Sequence, residues 1–252
     1  MKQYKTEAVI LDTTDVFDAD RSFLLFTREL GKVRARAKGV RKPTSKLTGH
    51  LLAYLPTALE LVEGGSGLLI VQASVTGGAE RSGRPYPSDP LLFMRQSEII
   101  AEALNRLFIE RDPHPVIYDG LVYVLGRLRE LCEDRQSRKA VLLTAEFLLK
   151  CLAELGYRAE LDRCVITEEP VTEQFVGWSS QAGGLLGETG YQQAAGAGIR
   201  LDSPRTVVLL RQFSRPEFMA ERVNAAEAVE NETIRVVYDY LQTQIGQPLK
   251  SL

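Results

Sequence analysis

Residues Arg28 to Lys46 read RELGKVRARAKGVRKPTSK. From Lys32 to Lys38, charged and small apolar residues take turns with period two, the pattern of a strand with one wet and one dry face. On such a strand Lys32, Arg34, Arg36 and Lys38 project from one side, while Val33, Ala35 and Ala37 turn inward. Gly39 then allows a turn, and Arg41, Lys42 and Lys46 carry the charge into a loop with Pro43, Thr44 and Ser45. The stretch holds eight basic residues against a single acid, Glu29. Like charges about 6 to 7 Å apart repel unless an anion lies over them. A polyanionic backbone suits this row, because each neutralised phosphate releases a condensed counterion. A solvated charged face is the ordinary alternative for a basic run.

Working outward, Val9–Leu11 and Phe23–Phe26 are short apolar runs. Leu59–Val62 and Leu68–Val71 flank Gly64-Gly65-Ser66-Gly67, which has the composition of a hairpin turn. Five short strands with glycine-rich turns form a small barrel, and periodicity alone leaves an SH3-like barrel and an OB-fold open. Tyr4, Phe23, Phe26 and Tyr54 could stack bases, although their spacing suits a core equally well. The glycine- and proline-rich stretch GGAERSGRPYPSDP, Gly77 to Pro90, supports no regular element and places a domain boundary, dividing the chain into residues 1–80 and 81–252.

Beyond it the spacing turns helical. Phe93, Ser97, Ile100, Leu104 and Leu107 share a face, as do Leu121, Leu125 and Leu128, and then Val141, Ala145, Leu148, Leu152 and Leu155. Residues 161–202, rich in glycine and weakly periodic, read as an irregular subdomain. Helices return at Val207–Phe213 and Ala225–Ile245. The fold class is α+β: a five-stranded barrel, then an all-helical domain with an irregular insertion.

Composition narrows the function. The chain has 252 residues, 44% of them hydrophobic, enough for a real core. Its net charge of -2 rules out a global electrostatic argument for a nucleic-acid partner, so any such argument is local. Cys132, Cys151 and Cys164 are sparse and unpaired in spacing, which fits a reducing cytoplasm. Lys2, Lys5, Glu7, Asp12 and Asp15 leave no apolar signal core, and no later run approaches the ~20 apolar residues of a spanning helix.

Catalysis finds little support. His50 and His114 lack metal-ligand spacing, and His114 lies between two prolines where a turn explains it. Gly31-Lys32 lacks the upstream glycine of a phosphate loop. Asp12, Asp15, Asp18 and Asp20 could serve a metal-dependent nuclease, but they lie between two predicted strands, where a solvated loop is the simpler account. No catalytic residue is assigned. An RNA-binding barrel module and a nuclease are the competing readings of the residues themselves.

The order of several motifs resembles the RecO family of recombination mediators. Thr6-Glu7-Ala8-Val9-Ile10-Leu11, Leu30-Gly31-Lys32-Val33, and Ala37-Lys38-Gly39-Val40-Arg41-Lys42-Pro43 with Ser45 and Gly49 are similar to its N-terminal domain. Leu155-Gly156-Tyr157, Leu161-Asp162-Arg163-Cys164, Gly183-Gly184-Leu185-Leu186 and Gly246-Gln247-Pro248-Leu249-Lys250-Ser251 follow in the family's order. The resemblance implies that the barrel is an OB-fold. It also implies a non-enzymatic mediator of DNA repair that binds single-stranded and double-stranded DNA, anneals complementary strands, and acts with the RecR ring. The C-terminal tail of single-strand DNA-binding protein is an implied partner, with RecF and RecA more distant participants. DNA would lie on Lys32, Arg34, Arg36, Lys38, Arg41, Lys42 and Lys46. The acidic tail would lie on the helical domain, where Arg127, Arg129 and Arg138, with Arg135 and Lys139, give a basic rim.

One departure is plain. Many relatives carry two Cys-x-x-Cys pairs suited to tetrahedral zinc. Here Cys164 is followed by Thr167, and the second pair falls on Gly187 and Gly190, so no zinc or other cofactor is expected. Phe175 and Trp178 are then the expected packing anchors of residues 161–202.

Overall fold

Alternation along five strands builds the barrel. The computed structural model describes residues 2–77, 84–172, 176–194, 196 and 198–251. The strands are β1 (Lys2–Val16), β2 (Asp20–Thr27), β3 (Gly31–Ala37), β4 (Pro56–Gly64) and β5 (Gly67–Val75). They close in the order β1-β2-β3-β5-β4, with β4 returning to β1. All neighbours are antiparallel except β3 and β5, which run parallel through Ala35↔Leu68 and Arg36↔Leu69. This closed five-strand order with a parallel β3–β5 contact is the OB-fold.

Inside lie Ala8 and Ile10 from β1, Phe23 and Leu25 from β2, Val33, Ala35 and Ala37 from β3, Leu59 and Leu61 from β4, and Leu68 and Ile70 from β5. Small residues on β3 face large ones elsewhere, which is how side chains fill a narrow barrel. The opposite faces of β1 and β2 are buried as well: Val9, Leu11, Leu24 and Phe26 are at most 3% exposed. Burial on both faces explains why each of these strands contains an unbroken apolar run, Val9–Leu11 and Phe23–Phe26. Two bulges adjust the barrel. Leu11 is the unpaired residue between Ile10 and Asp12, and Val71 is unpaired opposite the Glu60/Leu61 step, which leaves Val71 in solvent at 46% exposure.

The compact unit that holds the barrel extends to Ser137 and takes in α1 (Pro90–Leu107) and α2 (Pro115–Glu133). Asp89 caps α1, its carboxylate accepting from the Leu92 amide at 3.1 Å, with Pro90 in the first turn. His114 takes the N-cap position of α2 before Pro115, and its ring stands edge-on to Phe108 at 4.9 Å. Phe108 in turn meets Phe26 at 5.4 Å. Gly31 permits the chain to pass: its φ is +68°, and a Cβ there would fall 2.1 Å from the Asp112 carbonyl oxygen.

The second unit, Arg138–Lys250, contains nearly all of α3 (Ser137–Glu154). A three-stranded sheet follows, of order β7-β6-β8, made by β6 (Gly177–Ser179), β7 (Gly184–Leu186) and β8 (Ile199–Arg200). Helices α4 (Glu188–Gln193), α5 (Pro204–Phe213) and α6 (Glu227–Ile245) complete it. The sheet corrects the expectation of an irregular insertion in an all-helical domain. Strands of two or three residues are too short to show a period of two. Their glycines mark close approaches; a Cβ on Gly184 would fall 2.5 Å from the Glu160 carbonyl. Trp178 is buried as expected and meets Tyr240 edge-on at 5.5 Å; Phe175 lies outside the described residues. Ser203 caps α5, its hydroxyl accepting from the Arg205 amide at 3.2 Å, and Glu232 of α6 holds that end by accepting from the amides of Asp202 and Ser203 and from the Thr206 hydroxyl at 2.5 Å.

Candidate nucleic-acid interface

On β3 the expected alternation holds, with Val33, Ala35 and Ala37 buried and Arg34 and Arg36 turned outward. Lys38 is exposed just beyond the strand. Lys32 departs from this row. It is 8% exposed, and its Nζ donates to the Asn105 carbonyl at 2.5 Å, at the C-terminal end of α1. Desolvation holds its pKa below the usual lysine value. Lys32 therefore satisfies a carbonyl of the last helical turn, and the row that faces solvent is Arg34, Arg36 and Lys38. The sequence could not reveal this, because the burial comes from the segment after α1, whose Arg111 amide donates to the Lys32 carbonyl at 2.9 Å.

The aspartates at the β1–β2 hairpin face these cations. Asp15 pairs with Arg21 at 2.8 Å and Arg41 at 3.5 Å, and Asp20 pairs with Arg36 at 3.8 Å. The hydrogen bond from Arg21 holds the Asp15 carboxyl below its usual range. Arg34 has Glu110 at 3.7 Å. The exposed pairs of Arg21, Arg34 and Arg41 contribute about 0–1 kcal/mol each, so a phosphate can compete for these arginines, while the Arg36–Asp20 pair is half-buried. Lys38, Lys42 and Lys46 have no acidic partner among the described residues. Among the described residues no three His, Cys, Asp or Glu side chains converge on a metal position.

The loop after β3 is built, not slack. The Gly39 amide donates to Asp20 Oδ1 at 2.8 Å, the Arg41 amide to the Ala19 carbonyl at 3.0 Å, and the Thr48 hydroxyl to the Val40 carbonyl at 2.6 Å. Buried Val40 and Leu51 anchor it to the barrel core. Between loop and barrel lies a groove of about 350 Å³ with Phe23, Val40 and Leu51 in its floor and Arg21, Arg41 and Lys42 on its rim. A larger groove of about 780 Å³ beside β1, β4 and β5 is lined by Lys5 and Lys46 but also by Glu7, Glu29 and Glu60, a charge balance that does not favour phosphate. Of the aromatic candidates, Phe23 and Phe26 are core. Tyr4 is half-buried with its hydroxyl on Glu63, and Tyr54 is half-buried.

The rim arginines are each engaged. Arg127 pairs with Glu130. Arg129 donates to the carbonyls of Arg84 and Pro85, at 2.5 and 2.7 Å, tying the linker to α2. Arg138 pairs with Glu230 and, at 3.6 Å, with Glu227.

Cys164, Thr167, Gly187 and Gly190 do meet in space. Burial pushes the Cys164 thiol up, but hydrogen bonds from the Thr167 side chain and from the backbone of Thr167, Ile166 and Gly187 together outweigh it and leave the thiol below its usual value. A Cβ on Gly190 would fall 2.3 Å from Cys164 Sγ. One sulfur, one hydroxyl and two glycines do not make a tetrahedral zinc site; the sulfur is held by hydrogen bonds and packing.

Two family models cover this chain: Recombination protein O N terminal matches residues 1–76, and Recombination protein O C terminal matches residues 98–252. A DNA repair protein RecO from Bifidobacterium adolescentis is 28% identical over 254 residues, covering 100% of this chain and 98% of that protein. Another from Bifidobacterium animalis subsp. lactis is 31% identical, covering 74% and 73%. A third, from a Nocardioides species, is 29% identical, covering 99% and 97%. The chain belongs to the RecO family of DNA repair proteins, a family of non-enzymatic recombination mediators.

Proposed function

We propose that this protein binds single-stranded DNA, and duplex DNA as well, through the outer face of β3 and the loop after it, and anneals complementary strands without ATP. With RecR it helps RecA onto DNA coated by single-strand DNA-binding protein, RecF acting at a further remove. The observation that carries this reading is the run of outward-facing cations, exposed Arg34 and Lys38 with half-buried Arg36 between them, that continues into exposed Arg41, Lys42 and Lys46 on an OB-fold barrel. Holding a strand by its phosphates leaves base edges free to pair, and the cations lower the repulsion between strands. Such work belongs in the bacterial cytoplasm, at the nucleoid. Among the described residues no helix is long and apolar enough to cross a membrane. An acidic protein tail would compete with Glu130 for Arg127 in the first unit, or with Glu227 and Glu230 for Arg138 in the second.

Annealing of complementary oligonucleotides, bare and coated, tests the reading, with chelator present and ATP absent. The intact chain is expected to anneal, and Arg34→Ala/Arg36→Ala/Lys38→Ala to remain folded and lose most of that activity. An intact chain that binds RNA and anneals no DNA would overturn it.

A further inference from the structure

The tip of the β1–β2 hairpin carries a residue that the barrel does not need. Val16 pairs with Asp20, and Phe17, Asp18 and Ala19 form the turn between them. Phe17 is 76% exposed, and its φ of 56° lies in the left-handed region, which strains a bulky side chain and which Gly, Asn or Asp adopt more readily. Neither the core nor the turn explains a phenylalanine here, and strained residues gather where a surface is used. Among the described aromatic residues of the barrel, the Phe17 ring alone is exposed.

The hairpin that carries it is bonded to the loop bearing the cations of the proposed strand path. Ala19 receives the Arg41 amide, Asp20 receives the Gly39 amide, and Asp15 joins Arg21 to Arg41. The hairpin tip is therefore stitched to the loop bearing Lys38, Arg41 and Lys42. Asp15 and Asp20 are engaged by these partners, while Asp18, the next residue along the turn, is exposed.

We propose that Phe17 is a base-stacking platform: a single strand whose phosphates run along Lys38, Arg41 and Lys42 lays one base on the exposed ring. This assignment rests on the strand-binding reading above and adds to it a preference for single strands. In a duplex the base faces are already stacked, so the ring gains nothing there without unstacking a step. A base held by its face keeps its pairing edge free, which suits annealing.

The test compares the full chain with Phe17→Ala and Phe17→Trp on three probes at fixed salt: oligo-dT, an abasic strand of equal length, and a duplex. Phe17→Ala is expected to bind oligo-dT roughly tenfold more weakly and to leave binding of the abasic strand and the duplex unchanged. In Phe17→Trp, oligo-dT should quench the new indole and the abasic strand should not, against the constant emission of buried Trp178. Equal losses on oligo-dT and the abasic strand, or no loss on either, would overturn the platform and leave strand binding intact. A wild-type chain that binds neither strand would remove the strand-binding reading itself. Should Phe17→Ala lower the melting temperature, the Phe17→Trp quenching decides by itself.

Discussion

Lys32 and Lys38 share a side chain and a strand face in the sequence and differ in what lies above them. The end of α1 covers Lys32, whose ammonium spends its donors on the Asn105 carbonyl and side chain; nothing covers Lys38. A lysine used this way is a structural cation. Lys32→Met leaves that helix-end carbonyl without its donor, and losing one such hydrogen bond costs about 1–2 kcal/mol. For a chain of this size that is a drop of about 3–6 °C in Tm, with DNA affinity little changed. Lys38→Ala should do the reverse, leaving Tm in place and weakening single-strand binding. Thermal melts and strand titrations on the two variants separate these outcomes. A Lys32→Met protein with wild-type Tm and impaired DNA binding would return Lys32 to the phosphate row. The sequence could place both residues on the outer face, because alternation is local. It could not tell them apart, because the helix that covers Lys32 arrives from the far side of a linker.

At the scale of elements the same division holds. The five strands were legible because the barrel interior imposes a period of two on β3 and double burial makes the middles of β1 and β2, Val9–Leu11 and Phe23–Phe26, apolar without a break. The partners of the arginines were not, since Asp15 and Asp20 meet Arg21, Arg36 and Arg41 only once the strands pair. Helix α3 shows the limit most clearly. Its apolar period through Ala145, Leu148 and Leu152 could be read directly, yet Glu146 beside them is fully buried. Its carboxylate accepts from the Met219 amide at 2.8 Å and the Ala220 amide at 2.7 Å, and Lys150 lies 3.5 Å away. Desolvation outweighs these partners and raises the Glu146 pKa. A carboxyl whose pKa is raised by folding stabilises the fold fully below its unfolded value, and that contribution is lost as pH rises through the folded value. The contribution of Glu146 is thus expected to fall from about pH 4.5, its ordinary value, upward across that window, so that the stability of the wild type relative to Glu146→Gln, which has no charge to lose, declines there. Glu146→Ala strands both amides, while Lys150 keeps the carbonyls of Phe213, Arg215 and Glu217, and should cost about 3 kcal/mol at neutral pH. Denaturant melts of the three proteins from acid to neutral pH check both points; a difference between wild type and Glu146→Gln that rises through the window would show that the pairing with Lys150 prevails.

For the whole molecule, a net charge of -2 means that the protein as a body does not attract DNA; on the proposed reading the attraction comes from one face of one barrel. Such a face should reveal itself through salt. If Arg34, Arg36, Lys38, Arg41, Lys42 and Lys46 each neutralise one phosphate of a single strand, the slope of log K against log salt is roughly -4, at about 0.7 per contact. Removing Arg34, Arg36 and Lys38 should halve it to roughly -2 by the same rule. Removing Phe17 should lower the affinity and leave the slope where it was, because stacking on a neutral ring releases no counterion. The two variants therefore separate charge from stacking in one set of titrations between low and physiological salt. A wild-type affinity indifferent to salt would mean that strands are held elsewhere on the molecule, and by something other than this basic face.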